Sequence, residues 1–309
     1  MADKIATRAA YGKALVELGA EKENLVVMDA DLSKSTMTAE FGKTYPERFF
    51  NMGIAEQNLY GTAAGLALSG KVVCASTFAM FAAGRAFEII RNSIGYTGAN
   101  VKICATHAGI TVGEDGASHQ TFEDLALMRT IPGMTVVNPC DGVSAKKLLK
   151  QVVDMTGPAY VRLGRAAVPV FYDETAEIEL GRANVLRQGR DVTVIATGIM
   201  VAEAMMAASQ LAEEGIDVRV IDMHTIKPLD EEIIVKAAKE TGKIVTAEEH
   251  SVIGGLGSAV AEVLCQKCPA KMVMVGQQDT YGESGKPEEL KEKYGMTAED
   301  IVSAVREIY

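Results

Sequence analysis

A glycine-rich stretch at residues 107–120, HAGITVGEDGASHQ, holds two of the four histidines in the chain and the acidic pair Glu114-Asp115. Imidazole and carboxylate groups on one segment could move protons or bind polar ligands. His107 and His119 lie twelve residues apart with no further nitrogen or sulfur ligand nearby, so they make a poor zinc site. No metal site is predicted in this chain, and an exposed or capping role remains open for both histidines.

A second candidate is Glu56, which begins an otherwise apolar helix predicted over residues 56–69. Its carboxylate could complement the positive end of the helix dipole, or it could take part in a site. Phe78 and Phe81 lie three residues apart and therefore share a face of the helix predicted at 79–94. Core packing is the ordinary explanation for such a pair, so neither feature is decisive by itself.

The elements that must position these residues alternate along the chain. Near-continuous apolar strands, typical of a parallel sheet covered on both faces, are predicted at 24–31, 71–77, 101–107, 134–139 and 159–163. Helices are predicted at 5–19, 56–69, 79–94, 121–129 and 141–153. This alternation indicates βαβ units and a doubly wound α/β layer. Ligands of such sheets gather at the carboxyl ends of the strands, where the 107–120 loop is expected to lie.

The alternation breaks between Ala166 and Arg190, where proline, glycine and acidic residues predict a linker. A second α/β set follows, with strands predicted at 191–198, 217–222, 243–249 and 271–276 and helices at 199–214, 230–240 and 256–265. We therefore expect a first domain at 1–165, a linker at 166–190 and a second domain at 191–309.

Composition and charge narrow the class of protein. Five scattered cysteines favour a reducing cytoplasm without a disulfide framework. The net charge of −10 argues against nucleic-acid binding, and no apolar run approaches the roughly 18 residues that span a membrane. The residues alone predict a cytoplasmic, two-domain α/β protein with a small-molecule site on the first sheet.

Several motifs, taken in chain order, resemble the middle portion of a transketolase: DADLSKST (29–36), GIAEQN (53–58), STFAMF (76–81), THAGITVGEDGASHQ (106–120) and PAYVRLGR (158–165). DMHTIKPLD (222–230) and EEHSVIGGLGS (248–258) resemble the C-terminal domain of that family. The resemblance covers essentially the whole chain. It implies two doubly wound domains, a thiamin pyrimidine-binding domain and a transketolase-type C-terminal domain.

Transketolases bind thiamin diphosphate through Mg²⁺ at a Gly-Asp-Gly sequence with an asparagine downstream, and no Gly-Asp-Gly occurs here. The resemblance therefore implies the C-terminal subunit of a split transketolase. The divalent ion and the diphosphate would be held by an N-terminal partner chain, in an expected α₂β₂ assembly.

The resemblance also assigns residues to the cofactor. Glu56 matches the glutamate that hydrogen-bonds the pyrimidine nitrogen N1′, and Phe78 and Phe81 match the aromatic wall of the pyrimidine pocket. Asp31 matches an aspartate near the thiazole ring. Gly84 stands where many transketolases have a tyrosine, so another side chain is expected to fill part of that pocket.

A further set of residues matches the sugar-binding positions of the family. His119 matches a histidine at the oxygens near the reacting carbons, where it assists proton transfer, and Asp115 matches an aspartate that binds the C2 hydroxyl of the acceptor. The group that binds the terminal phosphate, through cations and hydroxyl donors, is matched by Arg8, Ser35, His107 and Arg165.

The implied activity is the reversible transfer of a two-carbon ketol unit from a ketose phosphate to an aldose phosphate. One alternative is an enzyme similar to 1-deoxyxylulose-5-phosphate synthase, which tends to have an arginine where Phe81 stands. Another is the β subunit of a 2-oxo acid dehydrogenase, which lacks the GEDGASHQ sequence. A non-catalytic assembly subunit with the same fold is the third alternative.

Overall fold

The structure, a computed structural model, describes residues 4–309. The strands of its first half are β1 (Lys4–Ala6), β2 (Leu25–Asp29), β3 (Phe49–Asn51), β4 (Val72–Phe78), β5 (Val101–Thr106), β6 (Thr135–Val137), β7 (Ala159–Arg162) and β8 (Ala167–Pro169). The α-helices there are α1 (Thr7–Glu21), α2 (Ser33–Thr36), α3 (Ala39–Thr44), α4 (Glu56–Leu68), α5 (Phe87–Ile89), α6 (Asp124–Thr130) and α7 (Gly142–Asp154). Short 3₁₀ turns span Pro46–Arg48 and Ile110–Asp115, and π-helical turns span Phe81–Arg85 and Ile90–Tyr96.

The second half repeats the alternation of strand and helix. Its strands are β9 (Asn184–Arg187), β10 (Val192–Ala196), β11 (Val218–Asp222), β12 (Thr225–Lys227), β13 (Lys243–Ser251) and β14 (Lys271–Gln277). Its helices are α8 (Met200–Glu213), α9 (Glu231–Thr241), α10 (Leu256–Lys267), α11 (Pro287–Lys293) and α12 (Ala298–Ile308). Across residues 4–309, no helix is both long and apolar enough to cross a membrane.

Within the described residues, the larger sheet has seven strands in the order β12-β6-β7-β5-β4-β2-β3, and every neighbouring pair except β12 and β6 is parallel. Alternate residues of each strand enter opposite cores because successive side chains point to opposite faces. Val27, Cys74 and Cys104 pack in the core that includes α1 and α7. Met28, Ala75 and Ile103 pack in the core that includes α4. Burial on both faces explains why these strands are apolar throughout.

The smaller sheet has the order β14-β13-β10-β11-β9, with four parallel strands and β9 antiparallel at one edge. Helices α8, α9 and α10 connect its parallel strands. The predicted α/β class with two doubly wound sheets is therefore confirmed.

The segment predicted as a linker, residues 166–190, is structured in part. It contains β8, which pairs antiparallel with β1, and β9, which joins the smaller sheet. Between these strands, the backbone N–H groups of Phe171 and Tyr172 donate to Asp141 Oδ2 at 2.9 Å. Proline and acidic residues suit short edge strands as well as loops, so composition alone did not reveal the strands. The domain boundaries at 165 and 190 stay predictions.

Strand β12 connects the two halves, because it follows β11 in the chain but pairs with β6 of the larger sheet. Thr225 lies opposite Val137 in this antiparallel pairing. The larger sheet therefore includes residues from beyond the segment that was predicted as a linker.

The helix predicted at 79–94 is irregular. Its first turn, Phe81–Arg85, is π-helical, with the N–H of Ala86 donating to Phe81 O at 3.3 Å. Helix α5 and a second π-helical turn, Ile90–Tyr96, follow. In a π-helical turn the hydrogen bonds join residues five apart, so successive side chains point in different directions around the helix axis than they do in an α-helix. The helix faces that were inferred from a 3.6-residue period therefore do not apply here.

Candidate active site

The candidate site lies at the carboxyl ends of β2, β4 and β5, which are neighbours in the larger sheet. Asp31 follows β2, Phe78 ends β4 and His107 follows β5. Phe78 lies opposite Thr106 in the register of β4 and β5. The loops that carry the predicted residues thus leave the sheet at the edge where ligands of parallel sheets bind.

Glu56 is the first residue of α4, and only 1% of its side chain is exposed. Its Oε2 accepts a hydrogen bond from Arg85 Nη1 at 3.1 Å. Within residues 4–309 this is the one hydrogen bond to its carboxylate. A glutamate that only complemented the helix dipole would stay in solvent, since burying a charged group is costly. The burial of Glu56 therefore favours a role in a site.

Four rings form an aromatic cluster beside β4 and β5. Phe78 and Phe81 are stacked with centroids 5.9 Å apart and planes 14° apart. His107 stacks on Phe78 at 3.8 Å, and its backbone has a φ of 58°, which is unusual for a residue with a side chain. His119 meets Phe81 edge-on at 5.4 Å. Two histidines in this cluster are more than core packing requires.

Positive charge gathers around His107. Burial, followed by the charges of Arg8, Arg165 and His119, lowers the pKa of His107 to about 3. Burial and then the charge of Arg165 also lower the pKa of Arg8. Because of its lowered pKa, His107 is neutral at physiological pH. The two guanidinium groups are suited to a phosphate dianion, whereas His107 can offer a hydrogen bond but no charge.

Arg8 and Arg165 donate hydrogen bonds to different backbone oxygens. Arg8 Nη1 donates to the backbone oxygen of Ser35 at 2.6 Å, which places Ser35 of α2 beside the cationic group. Arg165 Nη1 donates to Val112 O and lies 3.7 Å from Asp115 Oδ2. Arg165 therefore also supports the loop that carries Asp115.

The loop at 107–120 is shaped by glycines with positive φ, namely Gly109, Gly113 and Gly116. It exposes Asp115 and half-buries His119, whose Nδ1 lies 3.0 Å from Ser118 Oγ. The loop thus presents one carboxylate and one imidazole beside the aromatic cluster, as expected if both contact a sugar.

Glu249 and Gln120 hold this loop in place through contacts between the loop and the second half of the chain. Neither residue was assigned a role from the sequence. Glu249 Oε1, at the end of β13, accepts the N–H of Thr111 at 2.7 Å. The Gln120 side chain donates to Glu283 O at 2.9 Å. A Cβ at position 109 would overlap the Glu249 carboxyl group, so the chain passes too close for any residue but glycine. No local sequence signal marks contacts between residues this far apart.

Asp31 and Asp29 lie at the end of β2. Asp31, with a φ of 66°, accepts a hydrogen bond from Asn51 Nδ2 at 3.0 Å and is exposed. Among residues 4–309 no hydrogen bond or ring contact joins Asp31 to the aromatic cluster. Asp29 is buried and accepts from the hydroxyls of Thr36 and Thr38 at 2.6 and 2.9 Å. Asp29, which the sequence interpretation did not single out, holds the segment that carries Ser35.

Arg85 was also missed. Its guanidinium carbon lies 5.0 Å from the ring centroid of Phe81, and its Nη1 bonds Glu56. The neighbouring Gly84, which was noted as standing where many transketolases have a tyrosine, has space for no larger residue unless Met80 moves, since a Cβ would lie 2.5 Å from Met80 Cε. An arginine four residues after Phe81 is visible in the sequence, but its contact depends on the π-helical turn.

The family of the chain follows from comparison with known proteins. Residues 3–170 match the family model of the transketolase pyrimidine binding domain, and residues 181–301 match that of the transketolase C-terminal domain. The chain therefore belongs to the transketolase family. Both domains were predicted from the motifs, and both are confirmed.

Individual relatives show which part of a transketolase this is. A putative transketolase C-terminal section from Methanocaldococcus jannaschii is 52% identical over 303 residues, which cover 97% of this chain and 95% of that protein. A subunit of 6-deoxy-6-sulfo-D-fructose transketolase from Clostridium sp. (strain MSTE9) is 43% identical over 301 residues, covering 97% and 94%. A solved structure described as a split-gene transketolase, inactive β4 tetramer, has a TM-score of 0.93 and 58% identity over 98% of both chains. The chain thus corresponds to the C-terminal section of a split transketolase.

Proposed function

We propose that this chain is the catalytic C-terminal subunit of a two-chain transketolase that uses thiamin diphosphate. The reaction is reversible transfer of a two-carbon ketol unit from a ketose phosphate to an aldose phosphate. The observation that carries the proposal is the buried carboxylate of Glu56, which Arg85 links to the ring of Phe81 and so to its stack with Phe78. The names of the relatives support ketol transfer over the two other thiamin enzyme classes considered from the sequence.

The surroundings of Glu56 fit an aminopyrimidine ring. Phe78 and Phe81 provide a flat apolar surface for stacking. Glu56 provides a carboxyl group that can hold or release a proton at the ring nitrogen N1′, and its burial keeps water from competing for that proton. Thiamin diphosphate, when bound, supplies the electron sink for the two-carbon unit. Asp31 is assigned to the thiazole side on the family resemblance alone.

The sugar is assigned to the loop and the cationic group. His119, half-buried at the edge of Phe81, would donate and accept protons at the oxygens near the reacting carbons. Asp115, exposed on the same loop, would accept a hydrogen bond from the C2 hydroxyl of the acceptor. The terminal phosphate would be bound by charge and by hydrogen bonds from Arg8, Ser35, His107 and Arg165.

We assign Mg²⁺ and the diphosphate group to an N-terminal partner chain in an α₂β₂ assembly. The sequence contains no Gly-Asp-Gly, and one relative is named as a C-terminal section. The split-gene relative is described as an inactive tetramer of one kind of chain, which is consistent with a need for a second kind. The cytoplasmic location stays a prediction from the scattered cysteines.

The test is ketol transfer by the purified chain, alone and mixed with a partner that carries Gly-Asp-Gly and a downstream asparagine. With thiamin diphosphate and Mg²⁺ present, we expect no transfer from the chain alone and transfer from the mixture. Glu56→Gln should reduce turnover of the mixture at least about 100-fold, because proton transfer is lost, while assembly persists in size-exclusion chromatography. Glu88→Gln, a matched change of an exposed glutamate in α5, should leave turnover unchanged.

Each outcome bears on a different part of the proposal. Transfer by the chain alone would contradict the need for a partner. Near-normal turnover with Glu56→Gln would remove Glu56 from its assigned role. An intact assembly that transfers no ketol unit would favour the non-catalytic assembly subunit.

A further inference from the structure

Arg85 contacts two of the three side chains that were assigned above to the pyrimidine ring, Glu56 and Phe81. Its Nη1 donates to Glu56 Oε2 at 3.1 Å. Its guanidinium carbon lies 5.0 Å from the centroid of the Phe81 ring, within the range of a cation–π interaction. A flat cationic group therefore occupies one carboxylate oxygen and the aromatic surface beside it.

The backbone around Arg85 explains why its side chain reaches this place. Phe81 and Arg85 are the first and last residues of the π-helical turn, which closes with the hydrogen bond from Ala86 N–H to Phe81 O. The backbone oxygen of Arg85 accepts a hydrogen bond from the Gln57 side chain at 3.4 Å. This contact ties the turn to the start of α4, next to Glu56. Single π-helical turns occur frequently at functional sites.

The place of Arg85 conflicts with the role assigned to Glu56. Its Nη1 bonds Oε2 of the carboxylate, and its guanidinium group lies against the ring of Phe81. An aminopyrimidine ring that stacked on Phe81 and bonded Glu56 would need the same space. Arg85 would therefore obstruct the contact between Glu56 and the ring for as long as it stays bonded to Glu56.

Arg85 is also free to leave. Its side chain is 53% exposed, and an arginine with that exposure can turn its charged end into solvent at small cost. Glu56 cannot move in the same way, because its side chain is buried at the start of a helix. Of the two partners, Arg85 is the one that can yield to a ligand.

On the basis of the proposed function, we propose that Arg85 is a displaceable counter-ion of Glu56. It holds the buried carboxylate in place until the aminopyrimidine ring binds, and the ring then takes over the contacts to Glu56 and Phe81 while Arg85 turns outward. Arg85 is thus a positioning residue. Its side chain and the cofactor ring cannot both contact Glu56 and Phe81 at the same time.

The first test uses the unmodified two-chain complex. Phenylglyoxal modification of individual arginines is followed by peptide mass spectrometry, with and without thiamin diphosphate and Mg²⁺. We expect Arg85 to react severalfold faster when the cofactor is bound. Arg91, an exposed arginine on the following turn that bonds only its neighbour Asn92 among the described residues, should react at the same rate in both samples. An unchanged or slower reaction of Arg85 would overturn the proposal.

The second test measures cofactor affinity in variants of the complex. Arg85→Met keeps the apolar stem and removes the charge, and it should lower the Kd for thiamin diphosphate about two- to fivefold, because a half-exposed ion pair no longer competes. Arg91→Met is the matched control and should leave the Kd unchanged. Weaker binding with Arg85→Met, in a complex whose thermal unfolding is unchanged, would show that Arg85 assists the ring and would overturn the proposal.

The two proposals fail in distinguishable ways. If the unmodified complex does not bind thiamin diphosphate, the proposed function fails and the role of Arg85 fails with it. If the cofactor binds and Glu56→Gln abolishes turnover, but Arg85 becomes protected, only the counter-ion proposal is overturned.

Discussion

The residues proposed to bind the terminal phosphate include both charged and neutral hydrogen-bond donors. With a pKa lowered to about 3 by burial and by neighbouring cations, His107 carries no charge at physiological pH. The positive charge therefore comes from Arg8 and Arg165. Arg165 also bonds Val112 of the loop, whereas the hydrogen bond of Arg8 within residues 4–309 goes to the backbone of Ser35. Replacing Arg8 is thus the cleaner test of phosphate binding.

Arg8→Ala should raise the KM of the two-chain complex for a phosphorylated ketose about tenfold or more, because a hydrogen bond to a charged group contributes roughly 1.5–3 kcal/mol. The kcat should change less, since the phosphate is bound equally before and during the reaction. Steady-state kinetics with phosphorylated and non-phosphorylated ketoses provide the measurement and its control. The same loss for both sugars would contradict the phosphate assignment.

At the scale of elements, the loop at 107–120 belongs to the first half but is held by the second. Glu249 at the end of β13 bonds Thr111, and Gln120 bonds the backbone of Glu283. Glu249 is itself buried, and burial raises its pKa. The position of Asp115 and His119 therefore depends on the packing of β13 against this loop.

Gly109→Ala should destabilise the chain more than Gly98→Ala. Both glycines have positive φ, +80° and +67°, but Gly109 also has a ψ of −168°, in a region of the backbone map that is essentially restricted to glycine, so backbone strain contributes to the extra loss at this position. Only at position 109 would the new Cβ overlap a side chain, that of Glu249, which cannot yield without losing its bond to Thr111. We expect an additional loss of about 1–3 kcal/mol in the free energy of unfolding, measured by thermal or denaturant unfolding. Equal losses at the two positions would show that Glu249 is not fixed.

The sequence could predict those features that depend on neighbouring residues in the chain, and it could not predict those that depend on distant residues. The long strands β4, β5 and β10 were predicted because an apolar run identifies a buried strand without knowledge of its neighbours. Short strands such as β8 and β12 were not, since their pairing is decided by distant residues. Glu56 stood out as a carboxylate on an apolar helix, but its ion pair with Arg85 depends on a π-helical turn that no periodicity indicated.

For the whole molecule, the junction of the two halves contains an unusual carboxyl group. Asp222, at the end of β11, accepts hydrogen bonds at Oδ2 from the Tyr172 hydroxyl at 2.8 Å and from Cys140 Sγ at 3.3 Å. Burial raises the pKa of Asp222 to about 7 despite these bonds, and the charge of Asp141 adds to the effect. The contact between the halves is therefore sensitive to the protonation of Asp222.

The sign of the pH dependence follows from the unfolded chain, where an aspartate has a pKa of about 3.9. Folded Asp222 keeps its proton up to about pH 7, so its contribution to stability is complete below pH 4 and is lost as pH rises to 7. The variant Asp222→Asn has no ionisable group at this position, so it does not lose this contribution as pH rises. The Tm of this variant minus that of the unmodified chain should therefore rise between pH 5 and pH 8, by at least about 2 °C.

Differential scanning calorimetry at several pH values in this range measures that difference. Asp279→Asn, a change at an exposed aspartate, is the matched control and should give a difference that does not vary with pH. A constant difference for Asp222→Asn as well would mean that Asp222 is ionised throughout the range and would contradict its assigned pKa.

Strand β12 has a consequence for how this polypeptide can be divided. A fragment that stopped before β12 would leave β6 as the outermost strand, with backbone N–H and C=O groups open to pairing with other molecules. Such a fragment would keep Glu56 and the aromatic cluster yet be prone to edge-to-edge aggregation. The pyrimidine-binding half is therefore not a self-sufficient module, and shortening this subunit from its carboxyl end would lower the solubility of the half that carries Glu56 and the aromatic cluster.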